Sequence, residues 1–365
     1  MRRSYIDNLR IICILLLFPF HSAMCFNTFG ERFYVTGEPT LPLTLIVVGV
    51  FPWWMSLLFV LAGISTVYAL KKRSAAEYAK ERVQRLLIPL IAGLLLLIPP
   101  QAFIADTWYN DYNGSLPERY VKFFTNITDL LGSDGCFTPG NLWFILYLLI
   151  ISLITLPVTI RYAKRENKPD FGKINIFALI FGGFILITAA TFIGDIGGKS
   201  IGDYAACFLL GFFILSDDNM QKKLQRYAFP LGIAWAALIA FRCAAYGLDI
   251  QLDDLVWDLE YKLLEWTGIL AALGLGGRFL DKGSGFTRVL APAAFPLYVL
   301  HQTVLVAAAY FLVPLIGNTY CAFAAIVLTS FILTFAAYEV FRRIKVTGFL
   351  LGIKSKRSAD NEKNT

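Results

Sequence analysis

Long apolar stretches recur along the whole chain and restrict it to a narrow set of folds. Ten of them lie at residues 9–28, 44–70, 86–105, 141–160, 174–193, 203–217, 229–247, 262–280, 291–313 and 320–342. A helix needs about 20 apolar residues to cross the hydrocarbon core of a bilayer. Charged residues make up 16% of the chain, against about a quarter in soluble domains. The sequence therefore predicts an all-α integral membrane protein with about ten transmembrane helices.

The positions of the basic residues predict how these helices are oriented. If the N-terminus is cytoplasmic, the segments on the cytoplasmic side carry 27 of the 33 Lys and Arg residues. This asymmetry follows the positive-inside rule and predicts that both termini are cytoplasmic. The net charge of +7 then reflects topology, and no nucleic-acid partner is expected. We expect one multi-pass domain in the cytoplasmic membrane at 1–350 and a charged, disordered tail at 351–365.

The chain contains only two histidines, His21 and His301, and both lie inside apolar stretches. His21 follows Arg10 by about 16 Å along a helix, which places it near the middle of a bilayer if Arg10 marks the inner edge. An ionisable group at that depth is costly and by default marks a functional site. A neutral histidine can act as a general base towards a hydroxyl. The alternative is a histidine that links helices by hydrogen bonds.

Two arginines are candidates for binding an anionic ligand at the cytoplasmic end of a helix. Arg82 and Arg85 are three residues apart and share one face of an α-helix that enters the membrane. Two guanidinium groups on one face suit a phosphate. Arg10 is explained without a ligand, either as an inner-edge arginine that reaches the lipid headgroups or as a partner of Asp7 one turn earlier. Positive-inside statistics explain many such clusters without a ligand.

Other polar groups in the apolar stretches carry weaker signals. Arg242 is deep enough to need a carboxylate partner, which the sequence does not name. Glu265 is placed near the outer end of its stretch, where a charge costs little. The acidic, aromatic segment 248–261 suits either interfacial anchoring or contact with a carbohydrate. The six cysteines are scattered, so we expect no metal site and no disulfide framework. We also expect no permanently bound cofactor.

Several blocks in order along the chain resemble the membrane acyltransferase 3 family, in particular its branch that modifies periplasmic glucans by succinyl transfer. YIDNLRIICILLLFPFH resembles the family's first helix, with Arg10 and His21 separated as in its Arg-x10-His pattern. KERVQRLLIPL is similar to its Arg-x-x-Arg segment at Arg82 and Arg85. NLWFILYLL, FPLYVLHQTVL and YEVFRRI are similar to its later helices. One departure is Ala62-Gly63, where many relatives have Ser-Gly.

The resemblance implies an acyltransferase that moves groups other than amino-acyl groups. The donor would be cytoplasmic acyl-CoA, either acetyl-CoA or succinyl-CoA, and the acceptor a hydroxyl of an extracytoplasmic carbohydrate. Arg10, Arg82 and Arg85 would hold the phosphates of CoA. His21 would be the general base or a transiently acylated nucleophile, and His301 would stabilise the oxyanion or orient His21.

Two other interpretations remain open from the sequence. The chain could be a transporter or flippase in which the histidines relay protons, although no internal repeat is evident. It could also be a family member that binds acyl-CoA without turnover. Retention of the Arg10, His21, Arg82, Arg85 and His301 positions favours catalysis. Arg242 is a candidate for the extra cation that a succinyl group would need.

Overall fold

The computed structural model describes residues 3–128, 130 and 132–353 of the chain. The expected disordered tail therefore lies almost wholly outside the described residues. Within them, the one β-type pairing is an isolated bridge between Asp195 and Ser200. The prediction of an all-α protein is confirmed. The α-helices are α1 (Ser4–Met24), α2 (Leu41–Leu70), α3 (Ala75–Arg82), α4 (Ile88–Leu96), α5 (Ile98–Asn110), α6 (Leu116–Thr125), α7 (Trp143–Ile154), α8 (Leu156–Ala163), α9 (Ile176–Ala190), α10 (Ile201–Leu210), α11 (Asp218–Arg226), α12 (Ala228–Gly247), α13 (Asp254–Phe279), α14 (Gly285–Leu315), α15 (Thr319–Phe341) and α16 (Lys345–Leu350).

The number of clear membrane spans is smaller than the number of predicted ones. Among the described residues, six helical segments are long and apolar enough to cross a bilayer: α1, α2, α12, α14, α15 and the run Ala75–Asn110. The bent pair formed by Gly140–Ile154 and Leu156–Ala163, with an angle of 59° between its halves, gives a seventh if it is one span. Helices also occupy the three remaining predicted stretches. Two of these are short, and α13 carries charged side chains from Asp254 to Glu265.

The described chain forms two compact units. Unit 1 contains the residues up to Cys13, Val48–Glu81 and Tyr147–Ala291. Unit 2 contains Ile14–Val47, Arg82–Leu146 and the residues from Pro292 onward. The prediction of a single membrane domain at 1–350 rested on the even distribution of apolar stretches, and it stays a prediction.

In unit 1, α2 and α10 pack with their backbones in close contact. A Cβ added at Gly63 would overlap the carbonyl oxygen of Phe208, and one added at Gly211 would overlap the carbonyl oxygen of Val60. Small residues allow this approach between membrane helices, which is stabilised by van der Waals packing. Elsewhere in the unit, the buried indole of Trp266 on α13 donates a hydrogen bond of 3.1 Å to the carbonyl oxygen of Leu179 on α9.

We expect Gly63→Ala to destabilise the protein by about 1–3 kcal/mol, because the added methyl group meets main-chain atoms that cannot rotate away. Thermal unfolding of the purified protein in detergent measures this change. Gly182→Ala is the matched control, because no atom lies within 4 Å of a Cβ at Gly182 on α9. A Gly63→Ala protein that unfolds at the same temperature as the Gly182→Ala protein would contradict the close packing.

In unit 2, three local backbone features lie in the segments that carry Arg85, Asn141 and His301. The run from α3 to α4 passes through a π-helical turn at Val83–Leu87, closed by a hydrogen bond from Ile88 N to Val83 O. A 3₁₀ turn at Gly140–Leu142 precedes α7, and Gly140 has a positive φ of 49° that glycine adopts readily. Pro296 lies inside α14, five residues before His301.

Candidate active site

The two histidines, distant in sequence, lie side by side in unit 2. His21 comes from the last turn of α1 and His301 from the middle of α14. Their ring centroids are 5.3 Å apart and the ring planes differ by 30°. Phe33 stacks on His21 with centroids 5.8 Å apart, and the edge of Phe18 meets His301 at the same separation. An aromatic ring therefore lies against each of the two histidines.

A backbone hydrogen bond fixes the proton on His301. Its Nδ1 lies 2.6 Å from the carbonyl oxygen of Tyr298. A carbonyl oxygen only accepts, so Nδ1 donates and carries the proton in this contact. In the neutral ring, Nε2 then has a free lone pair. His301 is fully buried, and Nε2 has no hydrogen-bond partner among the described residues.

Asn141 and Tyr298 hold this arrangement in place. The Asn141 side-chain amide donates to the carbonyl oxygen of Tyr298 over 3.0 Å, and the Tyr298 hydroxyl donates to the carbonyl oxygen of Asn141. The Tyr298 carbonyl thus receives hydrogen bonds from both Asn141 and His301. Asn141 lies in the block NLWFILYLL and Tyr298 in the block FPLYVLHQTVL, but the sequence predicted no role for either residue. Buried polar groups need hydrogen-bond partners, but the sequence pattern did not show which residues supply them.

His21 is held less tightly. Its buried Nδ1 has no hydrogen-bond partner among the described residues, and its ring orientation is set by the stacking neighbours. Each histidine therefore presents a ring nitrogen that no described protein group uses. A nitrogen of this kind can take a proton from a hydroxyl and return it to a leaving group.

The candidate anion-binding arginines fall in different units. Arg82 and Arg85 belong to unit 2, at the start of and within the π-helical turn. The α-helical face predicted for them is therefore wrong in detail, since this turn closes from residue i to i+5. Such turns are frequent at functional sites. Arg10 belongs to unit 1, where its guanidinium contacts Asp7 at 2.9 Å and the Ser65 hydroxyl at 3.0 Å.

Unit 1 contains a buried ionic cluster that the sequence did not reveal. Lys262 Nζ pairs with Asp203 and, over 2.8 Å, with Glu265 Oε2. Cys207 Sγ lies 3.9 Å from a carboxylate oxygen of each. The expectation that Glu265 sits where charge costs little is therefore wrong, since its side chain is 1% exposed. The oxygen and sulfur ligand atoms could surround a cation, and the Lys262 ammonium already bonds to both carboxylates.

Arg242 has the carboxylate partner that its depth required. Its guanidinium pairs with Glu260 and lies over the rings of Trp257 and Tyr261 at 5.5 Å and 5.3 Å. All four residues belong to unit 1. This pairing weakens the suggestion that Arg242 serves as a cation for a succinyl group, because its charge is already balanced by Glu260.

The fold and the site together define a helical membrane protein in which two histidines lie side by side among aromatic rings. Sequence comparison makes the class specific. The chain belongs to the Acyltransferase domain family (acyltransferase 3), whose profile matches residues 3–339, and it is an acyltransferase. Family membership favours acyl transfer over the transporter interpretation.

The chain is also similar to two curated bacterial proteins along its whole length. Glucans biosynthesis protein C of Escherichia coli O1:K1 / APEC is 24% identical over 387 aligned residues, which cover 99% of this chain and 97% of that protein. Glucans biosynthesis protein C of Shigella dysenteriae serotype 1 (strain Sd197) is also 24% identical, with the same coverage. No solved structure matches the chain significantly.

Proposed function

We propose that the protein is a membrane O-acyltransferase that moves an acetyl or succinyl group from cytoplasmic acyl-CoA to a hydroxyl of an extracytoplasmic carbohydrate. The observation that carries the proposal is the His21–His301 pair, because each ring has a buried nitrogen with no hydrogen-bond partner among the described residues. The similar curated proteins take their name from glucan biosynthesis, so a glucan is the first acceptor class to test. Besides acyl-CoA and the carbohydrate acceptor, the protein contacts the lipid bilayer that surrounds its helices.

The chemistry needs one base and one site for the oxyanion. The acceptor hydroxyl hydrogen-bonds to an unprotonated ring nitrogen, which we assign to His21. As the hydroxyl oxygen attacks the thioester carbonyl, its proton passes to His21 and a tetrahedral oxyanion forms. Collapse of this intermediate breaks the carbon–sulfur bond, and the imidazolium returns the proton to the departing CoA thiolate. The ester and free CoA are the products.

His301 takes the second role in this scheme. With Nδ1–H committed to the Tyr298 carbonyl, its neutral ring offers only an acceptor at Nε2. It can therefore orient a protonated nitrogen of His21 or an incoming hydroxyl. It would stabilise an oxyanion only after Nε2 gains a proton. A transient acyl-His21 is a variant of the same route, in which the nitrogen attacks first and the acceptor hydroxyl displaces it.

The membrane side from which each substrate approaches is inferred from the distribution of Lys and Arg residues along the chain. We propose ten spans with both termini in the cytoplasm, in the cytoplasmic membrane, because 27 of 33 basic residues then face the inside. Arg10, Arg82 and Arg85 lie at cytoplasmic helix ends in this topology. They bind the phosphates of CoA, while the carbohydrate approaches from the other side. CoA is a substrate here, and no permanently bound cofactor is needed.

The proposal is tested by release of CoA thiol from acetyl-CoA and succinyl-CoA in the presence of a glucan acceptor. We expect release from at least one donor. In an Arg82→Ala/Arg85→Ala protein we expect KM for the donor to rise roughly tenfold or more with kcat little changed, because charge-assisted contacts to phosphate contribute uniform binding. The donor with the higher kcat/KM identifies the acyl group.

Lys345→Ala is the matched control, since Lys345 is an exposed cation of unit 2 near the same membrane side in the proposed topology. Its KM should stay at the wild-type value. Absence of thiol release with both donors and with several carbohydrate acceptors would refute the acyl-CoA mechanism. An unchanged KM in the double variant would remove Arg82 and Arg85 from the donor site.

A further inference from the structure

Unit 1 contains a cavity of about 400 Å³. It is formed around the end of α2, the end of α8, the segment before α9 and the start of α11. A cavity of this size falls within the range of small-molecule sites. Its wall combines cationic side chains with aromatic rings. The cations are Arg3, Lys71 and Lys168.

Of these three cations, only Arg3 pairs with a carboxylate among the described residues, so the charges of Lys71 and Lys168 are available to a ligand. Arg3 pairs with Asp218 at 2.5 Å. Asp217 is engaged at the N-terminus of α11, where its carboxylate accepts from the backbone N–H groups of Asn219 and Met220. Both carboxylates of the cavity wall are therefore committed to other contacts.

Lys71 and Lys168 instead lie beside aromatic rings, and Lys168 Nζ also donates a hydrogen bond of 3.2 Å to the carbonyl oxygen of Ala163. Lys71 Nζ lies 5.7 Å from the ring centroid of Tyr68, and Lys168 Nζ lies 5.5 Å from that of Tyr162. Partial burial, together with the positive charge of Lys71, lowers the pKa of Lys168. Two ammonium groups held near one another repel, and a bound anion relieves that repulsion.

The rest of the wall suits a planar group beside the anion. Tyr68, Tyr162, Phe171 and Phe213 contribute rings to the cavity. Nucleic-acid bases stack on such rings with little dependence on base identity. A ring next to a phosphate is the combination that a nucleotide offers, whereas a lipid headgroup offers the phosphate alone.

We infer that this cavity binds a nucleotide, with Lys71 and Lys168 on its phosphate and the aromatic wall against its base. The nucleotide end of CoA, an adenosine with a 3′-phosphate, is the ligand of this class that the proposed reaction supplies. In this respect the inference rests on the proposed function.

The test uses adenosine 3′,5′-bisphosphate, the nucleotide part of CoA, and measures its binding by calorimetry to the purified full-length protein in nanodiscs. We expect binding to weaken roughly tenfold or more in Lys71→Gln/Lys168→Gln, because two charge-assisted contacts are lost. Phe171→Leu should weaken it less. Lys222→Gln is the control, because Lys222 is an exposed lysine on α11 of the same unit and does not line the cavity.

Three outcomes overturn the inference. Equal binding by wild type and the double variant removes the lysines from the site. Inorganic phosphate that competes as well as the nucleotide shows that the base is not recognised. Nucleotide binding that disappears when anionic phosphatidylglycerol is added to phosphatidylcholine nanodiscs shows that a lipid phosphate occupies the cavity. His21→Ala should bind the nucleotide like wild type, so a failure of the proposed catalysis and a failure of this site are distinguishable.

Discussion

His21→Ala should lose roughly 10²- to 10⁴-fold in the rate of CoA thiol release at saturating donor and acceptor, the usual contribution of a positioned general base. The ring nitrogen that the substitution removes is buried, and no other described group satisfies it. Because the base acts on the hydroxyl in the transition state, kcat should fall while KM for acyl-CoA changes little. The measurement compares purified proteins at equal folded concentration.

Ser22→Ala is the matched control for this prediction. Ser22 follows His21 on the same helix, is buried, and its hydroxyl has no partner among the described residues. Removing an unsatisfied hydroxyl costs little stability, so both stability and rate should stay near wild type. Thiol release that persists unchanged in His21→Ala would refute the assignment of the base. His301→Ala would then show whether the other ring, through Nε2, performs that role.

The sequence predicted the importance of the histidines because they are rare and lie in apolar surroundings. An ionisable group at membrane depth needs a reason to be there, and two such groups in one chain suggested a common one. The structure brings the two rings together and so makes a shared role possible. The sequence could not predict that Nδ1 of His301 carries the proton. That assignment depends on the carbonyl oxygen of Tyr298 and on Asn141, which lies in the 3₁₀ turn before α7.

The helical class was predictable for an equally general reason. Ten stretches of apolar residues have few alternatives to membrane helices. Their number was harder to judge, because a bend of 59° near Thr155 and short helices such as Ile176–Ala190 are decided by packing rather than by composition. The π-helical turn near Arg85 is a further example, since a single wider turn leaves no signature in hydropathy.

Glu265 was misjudged because the start of its helix was misplaced. With the apolar stretch beginning at 262, Glu265 appeared to lie one turn from the surface. In the structure α13 begins at Asp254, so Glu265 lies about three turns inside the helix. At that depth a carboxylate needs a cation. Lys262, one turn earlier, was visible in the sequence, whereas Asp203, 59 residues away, was not.

The second large effect is therefore expected at Lys262. In Lys262→Met, the carboxylates of Asp203 and Glu265 lose the ammonium group that bonds to both, and they remain buried next to each other. Removing one member of a buried ion pair typically costs about 3–5 kcal/mol. We expect the variant to unfold at a much lower temperature than wild type, or to fail to yield monodisperse protein, when both are purified in the same detergent.

A compensated variant separates charge from packing. Lys262→Met combined with Asp203→Asn and Glu265→Gln removes every formal charge of the cluster while keeping similar volumes, so most of the lost stability should return. Lys222→Met, at an exposed position of the same unit, should change stability by no more than about 0.5 kcal/mol. If Lys262→Met is as stable as wild type, the buried carboxylates do not depend on the ammonium. If the triple variant is no more stable than Lys262→Met, the loss comes from packing around the lysine side chain. Recovery in the triple variant alone would show that the helices of unit 1 tolerate a neutral core here and that Lys262 is there to balance charge.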